Sequence, residues 1–241
     1  MTPQTERYAL ITGASSGIGK ATSLAFAQAG IHLALVSRNQ AQLQQVADQA
    51  ATYGVKAHVY PADLADLAQV RQTIAAIAEA LPAIDILVNN AGMAYTGTLA
   101  EMPLQDWQQV LNLNLTSVFQ CIQGILPAMR QRQHGTIINV ASIAGHQVFP
   151  EWGAYCVSKF GLVALSKTLA AEERPHGIRV VTISPGSVNT PIWDTNTVNA
   201  DFDRTQMLTP EIVAQTILYA ALLPETAVIE DLTLMPNAGT F

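Results

Sequence analysis

Tyr155 and Lys159 are the side chains of this sequence best suited to move a proton. They stand four positions apart, so on a helix they would project from the same face, one turn from each other. A positive ammonium group near a phenol favours the phenolate, which should lower the tyrosine pKa from its reference value of about 10. Such a tyrosine can donate or accept a proton near neutral pH. The spacing by itself also fits an ordinary pair on a helix surface.

A third polar side chain, Ser142, directly follows the apolar, strand-like residues 136–141. Its hydroxyl would therefore lie at the carboxyl edge of a strand, where open α/β sheets bind their ligands. Ser142 thus joins Tyr155 and Lys159 as a candidate site residue.

Three glycines near the start of the chain indicate a phosphate-binding turn. Gly13, Gly17 and Gly19 follow the apolar residues 8–11 and precede a segment with helical spacing. Their spacing is G-x-x-x-G-x-G rather than the common G-x-G-x-x-G, but the strand–turn–helix context is the one that a dinucleotide requires. Glycines let the backbone approach a pyrophosphate at a helix N-terminus, and Ser15 and Ser16 add hydroxyl donors. A merely tight turn is the alternative.

The end of the second predicted strand, residues 31–36, bears on the choice of cofactor. An NAD enzyme usually places Asp or Glu there to accept a hydrogen bond from the ribose. Here Ser37 and Arg38 follow the strand, and no acid occurs before Asp48. Because an arginine can pair with a 2′-phosphate, this pattern favours NADP. A solvated arginine without this role is the alternative.

Strand-like and helix-like segments alternate along the whole sequence. This pattern predicts an α/β Rossmann fold in one domain, 1–241, with a doubly wound parallel sheet of about seven strands and helices on both faces. Residues 104–133 are predicted as one long helix, broken or bent near Pro127, and residues 153–173 as another. The helix-like segment 66–81 and a last strand within 227–234 complete the pattern. Residues 191–208 are polar and show no clear period.

Composition narrows the class of protein. Apolar residues make up 49% of the chain and charged residues 12%, and the net charge is -6 with no basic cluster, which argues against nucleic acid as a partner. No apolar run approaches the length of a membrane span, and the N-terminus lacks the layout of a signal peptide, so we expect a cytoplasmic protein. Cys121 and Cys156 are too far apart for metal-ligand spacing, and buried free thiols are expected. No metal is expected.

Four motifs in this order and at these intervals resemble those of the short-chain dehydrogenase/reductase family over nearly the whole chain. The residues that carry the resemblance are the glycine turn at 12–19, Asn-Asn-Ala-Gly at 89–92, Ser142 with Tyr155 and Lys159, and Pro-Gly-Ser-Val-Asn-Thr at 185–190.

The resemblance implies a role for each candidate catalytic residue. Tyr155 would be the general acid in carbonyl reduction, and Ser142 would hold the carbonyl oxygen. Lys159 would lower the pKa of Tyr155 and bind the nicotinamide ribose. Asn114 matches the asparagine that helps to relay protons through a bound water, and Asn112 is a competing register.

The resemblance also implies which residues line the cofactor and substrate sites. Besides the glycine turn and Arg38, the cofactor contacts would come from Ile18, Asp63, Leu64, Asn90, Ala91, Gly92, Pro185, Gly186, Val188 and Thr190. Asp63 and Asn90 could instead be an N-cap and a turn former. Substrate would meet Ser142, His146, Phe149, Trp152 and Trp193, with Met93, Tyr95 and Val148 nearby and residues 191–208 as a lid. A loop histidine without a role is the alternative for His146. This fairly apolar set suits a carbonyl compound with a hydrocarbon or aryl portion better than a sugar.

These expectations combine into an NADP-dependent oxidoreductase that interconverts a ketone or aldehyde and an alcohol. Reduction of 3-oxoacyl groups on acyl carrier protein is the alternative within enzymes, although the chain lacks the Gly-rich ending with a closing Asp-Gly-Gly that many such enzymes have. A non-catalytic NADP-binding regulator is a more distant alternative. The apolar faces of the helices at 104–133 and 153–173 predict a homotetramer, or a homodimer.

Overall fold

The computed structural model describes residues 6–200 and 202–239 and contains one seven-stranded parallel sheet. The strands are β1 (Tyr8–Thr12), β2 (His32–Ser37), β3 (Ala57–Pro61), β4 (Ile86–Asn89), β5 (Gly135–Val140), β6 (Ile178–Pro185) and β7 (Asp231–Leu234). Their order across the sheet is β3-β2-β1-β4-β5-β6-β7. The order reverses between β1 and β4, so the carboxyl ends of these strands flank the crevice in which α/β folds bind ligands.

Helices cover both faces of this sheet. They are α1 (Gly17–Gln28), α2 (Gln40–Ala51), α3 (Val70–Ala80), α4 (Leu104–Leu111), α5 (Ser117–Arg132), α6 (Gly153–Glu173) and α7 (Pro210–Ala221). One core contains buried side chains of α1, α2 and α7, such as Phe26 and Leu43. The other contains those of α3, α5 and α6, such as Ile74 and Ile122. The predicted doubly wound α/β fold is confirmed.

The long helix predicted over residues 104–133 is wrong in one respect. A π-helical turn, Asn112–Thr116, separates α4 from α5, whereas α5 continues through Pro127. Side-chain bonds accompany the irregularity: the Ser117 hydroxyl donates to the Leu113 carbonyl at 2.6 Å, and Asn114 bonds a neighbouring loop. The irregular turn therefore lies at a candidate site residue and not at the proline.

Two other elements are shorter than their sequence patterns. The helix predicted from residue 66 begins at Val70, because the Asp63 and Asp66 carboxylates accept from the N–H groups of Ala65 and Ala68 and so form local turns. Asp63 is therefore not the N-cap of α3. The last strand begins at Asp231, and the Ala227 carbonyl accepts from the Arg179 guanidinium at 3.1 Å instead of joining the sheet.

Residues 191–200 and 202–208 form irregular chain with two 3₁₀ turns, Pro191–Asp194 and Arg204–Gln206. The Arg204 guanidinium fastens the segment, because it bonds Asp194 Oδ1 at 2.6 Å and Asn189 Oδ1 at 2.9 Å. Thr197 attaches the other side, donating from Oγ1 to the Ala94 carbonyl at 2.8 Å.

Residues 6–200 and 202–239 include no helix that is both long and apolar enough to cross a membrane. In the same ranges, no group of three or more His, Cys, Asp or Glu side chains could hold a metal ion. Cys121 and Cys156 are free and buried as expected, and burial raises the pKa of Cys121 to about 12.

Candidate active site

The glycine turn connects β1 to α1 and lacks side chains where the chain packs most tightly. Gly13 has a φ of +65° and Gly17 a φ of +52°, conformations that disfavour other residues. A Cβ on Gly13 would lie 2.8 Å from Asn90 Nδ2, and a Cβ on Gly19 would lie 2.2 Å from the Gly13 carbonyl oxygen. The turn therefore requires glycine at these positions for its own geometry.

A set of hydrogen bonds joins the glycine turn to the loop after β4. Thr12 Oγ1 accepts from the N–H groups of Asn90 and Ala91 at 3.0 and 3.1 Å. The Asn90 amide donates in return to the Thr12 carbonyl at 3.0 Å and to the Gly13 carbonyl at 3.3 Å. The Asn-Asn-Ala-Gly motif thus fixes the position of the turn, which extends the turn-former interpretation of Asn90.

These elements enclose a cleft of about 560 Å³ at the carboxyl edge of the sheet. Its lining includes the glycine turn, the end of β2, the loop after β3, the loop after β4, and side chains from α6 and the 191–197 segment. The predicted cofactor residues that line it are Gly13, Ser15, Ser16, Gly17, Ile18, Ser37, Arg38, Asp63, Leu64, Asn90, Ala91, Gly92, Tyr155, Lys159 and Thr190.

Four residues predicted to contact the cofactor lie elsewhere. Gly19 is buried in the packing of the turn, and Pro185 is buried at the end of β6. The Val188 carbonyl accepts from Trp193 Nε1 at 2.7 Å, so this residue supports the segment that follows it. Gly186 lines a second, smaller pocket.

Arg38 stands at the end of the cleft formed by β2. Its side chain is exposed and forms no ion pair with a carboxylate of the described residues. Nearby, the hydroxyls of Ser15 and Ser37 lie 2.8 Å apart. The end of β2 and the glycine turn thus offer a cation and two hydroxyls, a donor set suited to a phosphate, and Asp63 from the loop after β3 lines the same cleft.

Tyr155 and Lys159 lie on α6, and both line the cleft as their spacing requires. Lys159 is only 6% exposed, its Nζ donates to the Val140 carbonyl at 2.9 Å, and it lies 5.7 Å from the centre of the Tyr155 ring. Ser142 lies two residues after the end of β5, and its Oγ accepts from the Ala144 N–H at 3.1 Å. The Ser142 hydroxyl hydrogen is therefore left to donate elsewhere.

The structure does not show the predicted lowering of the Tyr155 pKa by Lys159. Burial raises the pKa of Tyr155, and the Ser142 side chain acts in the opposite direction by hydrogen bonding. Burial also lowers the pKa of Lys159 to about 8. Burial is the largest cause at both groups, and a pKa above its ordinary value keeps Tyr155 protonated at neutral pH.

Asn114 is buried in the π-helical turn and bonds the loop after β4. Its Oδ1 accepts from the Met93 N–H at 2.8 Å, and its Nδ2 donates to the Met93 carbonyl at 2.8 Å and to Ser158 Oγ at 3.0 Å. Asn112, the competing register, instead accepts from Gln108 at an exposed position. Asn114 thus joins the π-helical turn, the cleft loop and α6.

A second pocket, of about 110 Å³, opens beside Tyr155. The predicted substrate residues Ser142, Phe149, Trp152 and Trp193 line it. Sequence reasoning missed Ile192 and Phe202, which also line the pocket. Phe202 carried a usable signal, because it is, with Trp193, one of two aromatic residues in the polar segment 191–208.

The prediction that His146 lines the substrate site is wrong for this pocket. The His146 ring points to the sheet, with Nε2 at 2.8 Å from Ser184 Oγ and 3.7 Å from Asp231 Oδ1. The buried Ser184 hydroxyl and the partly exposed Asp231 carboxylate hold the ring away from the cavity. Val148 is 73% exposed and Tyr95 also lies outside the pocket, whereas Met93 lines the larger cleft.

The residues of the larger cleft fit a dinucleotide. The cradle at Gly13 and Gly17 leaves backbone open to a phosphate, the first turn of α1 contains no acid, and Ser16 caps the helix without a side-chain bond to it. A pyrophosphate at this helix N-terminus would find N–H donors and the positive end of the helix dipole.

Comparison with known proteins assigns the family. The chain belongs to the short-chain dehydrogenase/reductase family, since the model described as short chain dehydrogenase matches residues 7–201. It is similar to the 3-oxoacyl-[acyl-carrier-protein] reductase of Synechocystis sp., with 36% identity over 248 residues that cover 99% of this chain and 98% of the relative. Sepiapterin reductase of Chlorobaculum tepidum is 34% identical over 237 residues, which cover 95% of this chain and 96% of the relative.

A solved structure agrees with this assignment. The alcohol dehydrogenase of the archaeon Thermococcus sibiricus, complexed with 5-hydroxy-NADP, matches with a TM-score of 0.88 and 26% identity, covering 96% of this chain and 97% of that one. The chain is thus an oxidoreductase of this family, as its motifs predicted.

The buried charge of Lys159 predicts a specific pH dependence of stability. Since burial lowers its pKa from 10.5 to about 8, charged Lys159 opposes folding below pH 8, and this cost disappears as the pH rises toward 10.5. Lys159→Met removes the cost. We compare the free energies of unfolding in urea, without cofactor, of Lys159→Met and the native chain. The amount by which the variant exceeds the native chain should fall by about 2 kcal/mol between pH 7 and pH 10.

The matched control is Lys167→Met, on the exposed side of the same helix. Its difference in free energy of unfolding from the native chain should change little between pH 7 and pH 10. A stability difference between Lys159→Met and the native chain that stays constant from pH 7 to pH 10 would contradict the assignment.

Proposed function

We propose that this protein interconverts a ketone or aldehyde and an alcohol, with NADP as the cofactor. The observation that supports this proposal most directly is that Tyr155 lines both the 560 Å³ cleft and the 110 Å³ apolar pocket. The phenol therefore stands between the space suited to a dinucleotide and the space suited to a substrate. Bound NADPH supplies the hydride for reduction, and NADP⁺ accepts it in the reverse direction.

Tyr155 acts as the general acid in reduction. Because burial raises its pKa, it holds its proton at neutral pH and can release it to the oxygen of a carbonyl in the apolar pocket. The Ser142 hydroxyl, whose oxygen already accepts from Ala144, donates a second hydrogen bond to that oxygen. In the oxidation direction the same phenol takes the proton back.

Lys159 stabilises the phenolate that remains after proton transfer. Its ammonium is buried near the ring, in surroundings where a charge interacts more strongly than in water. Asn114 holds the backbone of Met93 beside the cleft, and its role in a proton relay to Lys159 stays a prediction from the family resemblance.

Residues 191–208 form a lid over the two cavities in this proposal. Pro191 and Thr195 line the larger cleft, Phe202 lines the smaller pocket, and Ile192 lines both. The Arg204–Asp194 pair holds the two 3₁₀ turns of the lid together.

NADP is preferred over NAD because of Arg38. It can pair with a 2′-phosphate through charge-assisted bonds, with Ser15 and Ser37 beside it. The similar alcohol dehydrogenase of Thermococcus sibiricus holds an NADP derivative, which supports this choice.

Reduction of 3-oxoacyl groups on acyl carrier protein is the second candidate, favoured by the 36% identity to the Synechocystis enzyme. A non-catalytic NADP-binding regulator is disfavoured, since such a protein would not need Ser142, Tyr155 and Lys159 together. Cytoplasmic location stays a prediction of the sequence alone.

Tyr155→Phe should lower kcat for NADPH-dependent ketone reduction by about 10²- to 10⁴-fold, the usual contribution of a general acid. NADPH affinity, measured by fluorescence titration, should change little because the ring is kept. Tyr95→Phe removes a nearby hydroxyl outside both cavities and is the matched control. Full activity of Tyr155→Phe would refute the mechanism.

Arg38→Asp should shift cofactor preference toward NADH. The substitution replaces a cation by an anion that repels a 2′-phosphate, so the ratio of kcat/KM for NADPH to that for NADH should fall by at least about tenfold. Arg71→Asp makes the same charge change at an exposed position of α3 and should leave the ratio unchanged. An unaltered ratio in Arg38→Asp would exclude its role.

We also propose a homotetramer, or a homodimer. Large apolar side chains are exposed in two places, Leu104, Phe119, Val157 and Phe160 on α4–α6 and Ile212 and Tyr219 on α7, and each could form a separate interface. Light scattering should give a multiple of the 25.8 kDa chain mass, reduced by Phe160→Asp but not by Tyr53→Asp. A monomer at micromolar concentration would contradict this.

A further inference from the structure

The 110 Å³ apolar pocket supports an inference about the substrate, and this inference rests on the proposed function. We infer that the substrate is an uncharged ketone with an aryl group on its carbonyl carbon, and that anionic carbonyl compounds are rejected. Thioesters on an acidic carrier protein belong to the rejected class.

Among the residues that the structure describes, none that lines this pocket carries a charged side chain. Its polar side chains include the hydroxyls of Ser142, Tyr155 and Ser187, of which the first two are assigned to the reacting oxygen. The Ser187 Oγ is buried without a hydrogen-bond partner among the described residues, and a hydroxyl cannot neutralise an anion. A carboxylate placed here would lose its hydration and gain no cation in return.

Aromatic rings form one wall of the pocket. Trp193 lies edge to face with Trp152 at 5.8 Å and with Phe202 at 5.5 Å between ring centres. The Trp193 N–H already donates to the Val188 carbonyl, so its indole is fixed and has no donor left for a substrate. A further aromatic ring can extend this edge-to-face series, which favours aryl over alkyl groups.

The size of the pocket also limits the substrate. Its volume of about 110 Å³ is well below the roughly 300–1,000 Å³ of pockets for drug-sized ligands. A single ring next to the carbonyl suits this space better than a long acyl chain.

The charges of the neighbouring segment also disfavour anionic substrates. The segment 191–208 carries three aspartates in its sequence, Asp194, Asp201 and Asp203, and one cation, Arg204. The Arg204 guanidinium is paired with Asp194 at 2.6 Å. Asp203, next in sequence to the pocket residue Phe202, forms no ion pair with a cation of the described residues, and its negative charge disfavours anionic substrates and acidic carrier proteins.

The test compares matched substrates with the native protein and NADPH. The panel is 1-phenylethanone, its para-carboxylate 4-acetylbenzoate, the linear ketone octan-2-one, and acetoacetyl groups on acyl carrier protein. We expect kcat/KM for 1-phenylethanone to exceed that for 4-acetylbenzoate by at least about 100-fold, because the carboxylate must be desolvated. It should exceed that for octan-2-one by several-fold.

A cation introduced in the pocket tests whether the lack of a positive charge there causes the rejection of carboxylates. Phe149→Arg places a cation on the pocket lining and should raise the ratio of kcat/KM for 4-acetylbenzoate to that for 1-phenylethanone by at least about tenfold. Val148→Arg places the same charge one residue away, on a side chain that is 73% exposed and outside the pocket, and should change the ratio by less than about twofold.

Binding is followed independently by quenching of tryptophan fluorescence in the NADP⁺-saturated protein, which 1-phenylethanone should cause and 4-acetylbenzoate should not. Equal or faster turnover of the carboxylate or the carrier-bound thioester would overturn this inference and leave the proposed reduction intact. Failure to reduce any member of the panel, with NADPH or NADH, would overturn the proposed function and this inference with it.

Discussion

The buried ammonium of Lys159 is the constraint on which the site depends. It is 6% exposed, and its assigned partner is a neutral carbonyl, that of Val140, rather than a carboxylate. A cation held this way costs folding free energy, which is why its pKa falls to about 8. The same lack of a counter-ion means that the ammonium attracts any negative charge that develops nearby. The phenol of Tyr155, one helical turn away, is the group on which such a charge would form.

The surrounding structure holds these two side chains at the meeting point of two cavities. Thr12 and Asn90 tie the glycine turn to the loop after β4, and Asn114 ties that loop to the π-helical turn and to Ser158 on α6. Each of these bonds links an element that lines the larger cleft to a neighbour. The glycine turn, the loop after β4, the π-helical turn and α6, which carries Tyr155 and Lys159, are therefore joined by one connected set of polar contacts.

The sequence alone predicts the fold, and it predicts that the candidate catalytic residues lie near one another, for a physical reason. Alternation of apolar strands and amphipathic helices is repeated over the whole chain, and parallel strands bring their carboxyl ends to one edge. The glycine turn, Ser142 and the Tyr155–Lys159 pair must then lie close together, as the structure places them.

Features that depend on side-chain direction were not predictable in this way. His146 follows Ser142 by four residues, yet its ring turns to Ser184 and Asp231, because partners distant in sequence draw it there. Phe202 faces the pocket because the segment 191–208 is fastened by Arg204, a contact with no periodic signal. The pKa of Tyr155 rises because the effect of burial exceeds that of the Ser142 hydrogen bond, and spacing along the sequence reveals neither.

The most direct test of the account follows deuterium from labelled NADPH into the product alcohol of an uncharged ketone. With the native chain, mass spectrometry should find one deuterium on the carbinol carbon of each alcohol formed, whereas Tyr155→Phe should form almost none while still binding NADPH. An alcohol without deuterium, or labelled alcohol formed equally fast by Tyr155→Phe, would contradict hydride transfer assisted by the Tyr155 proton.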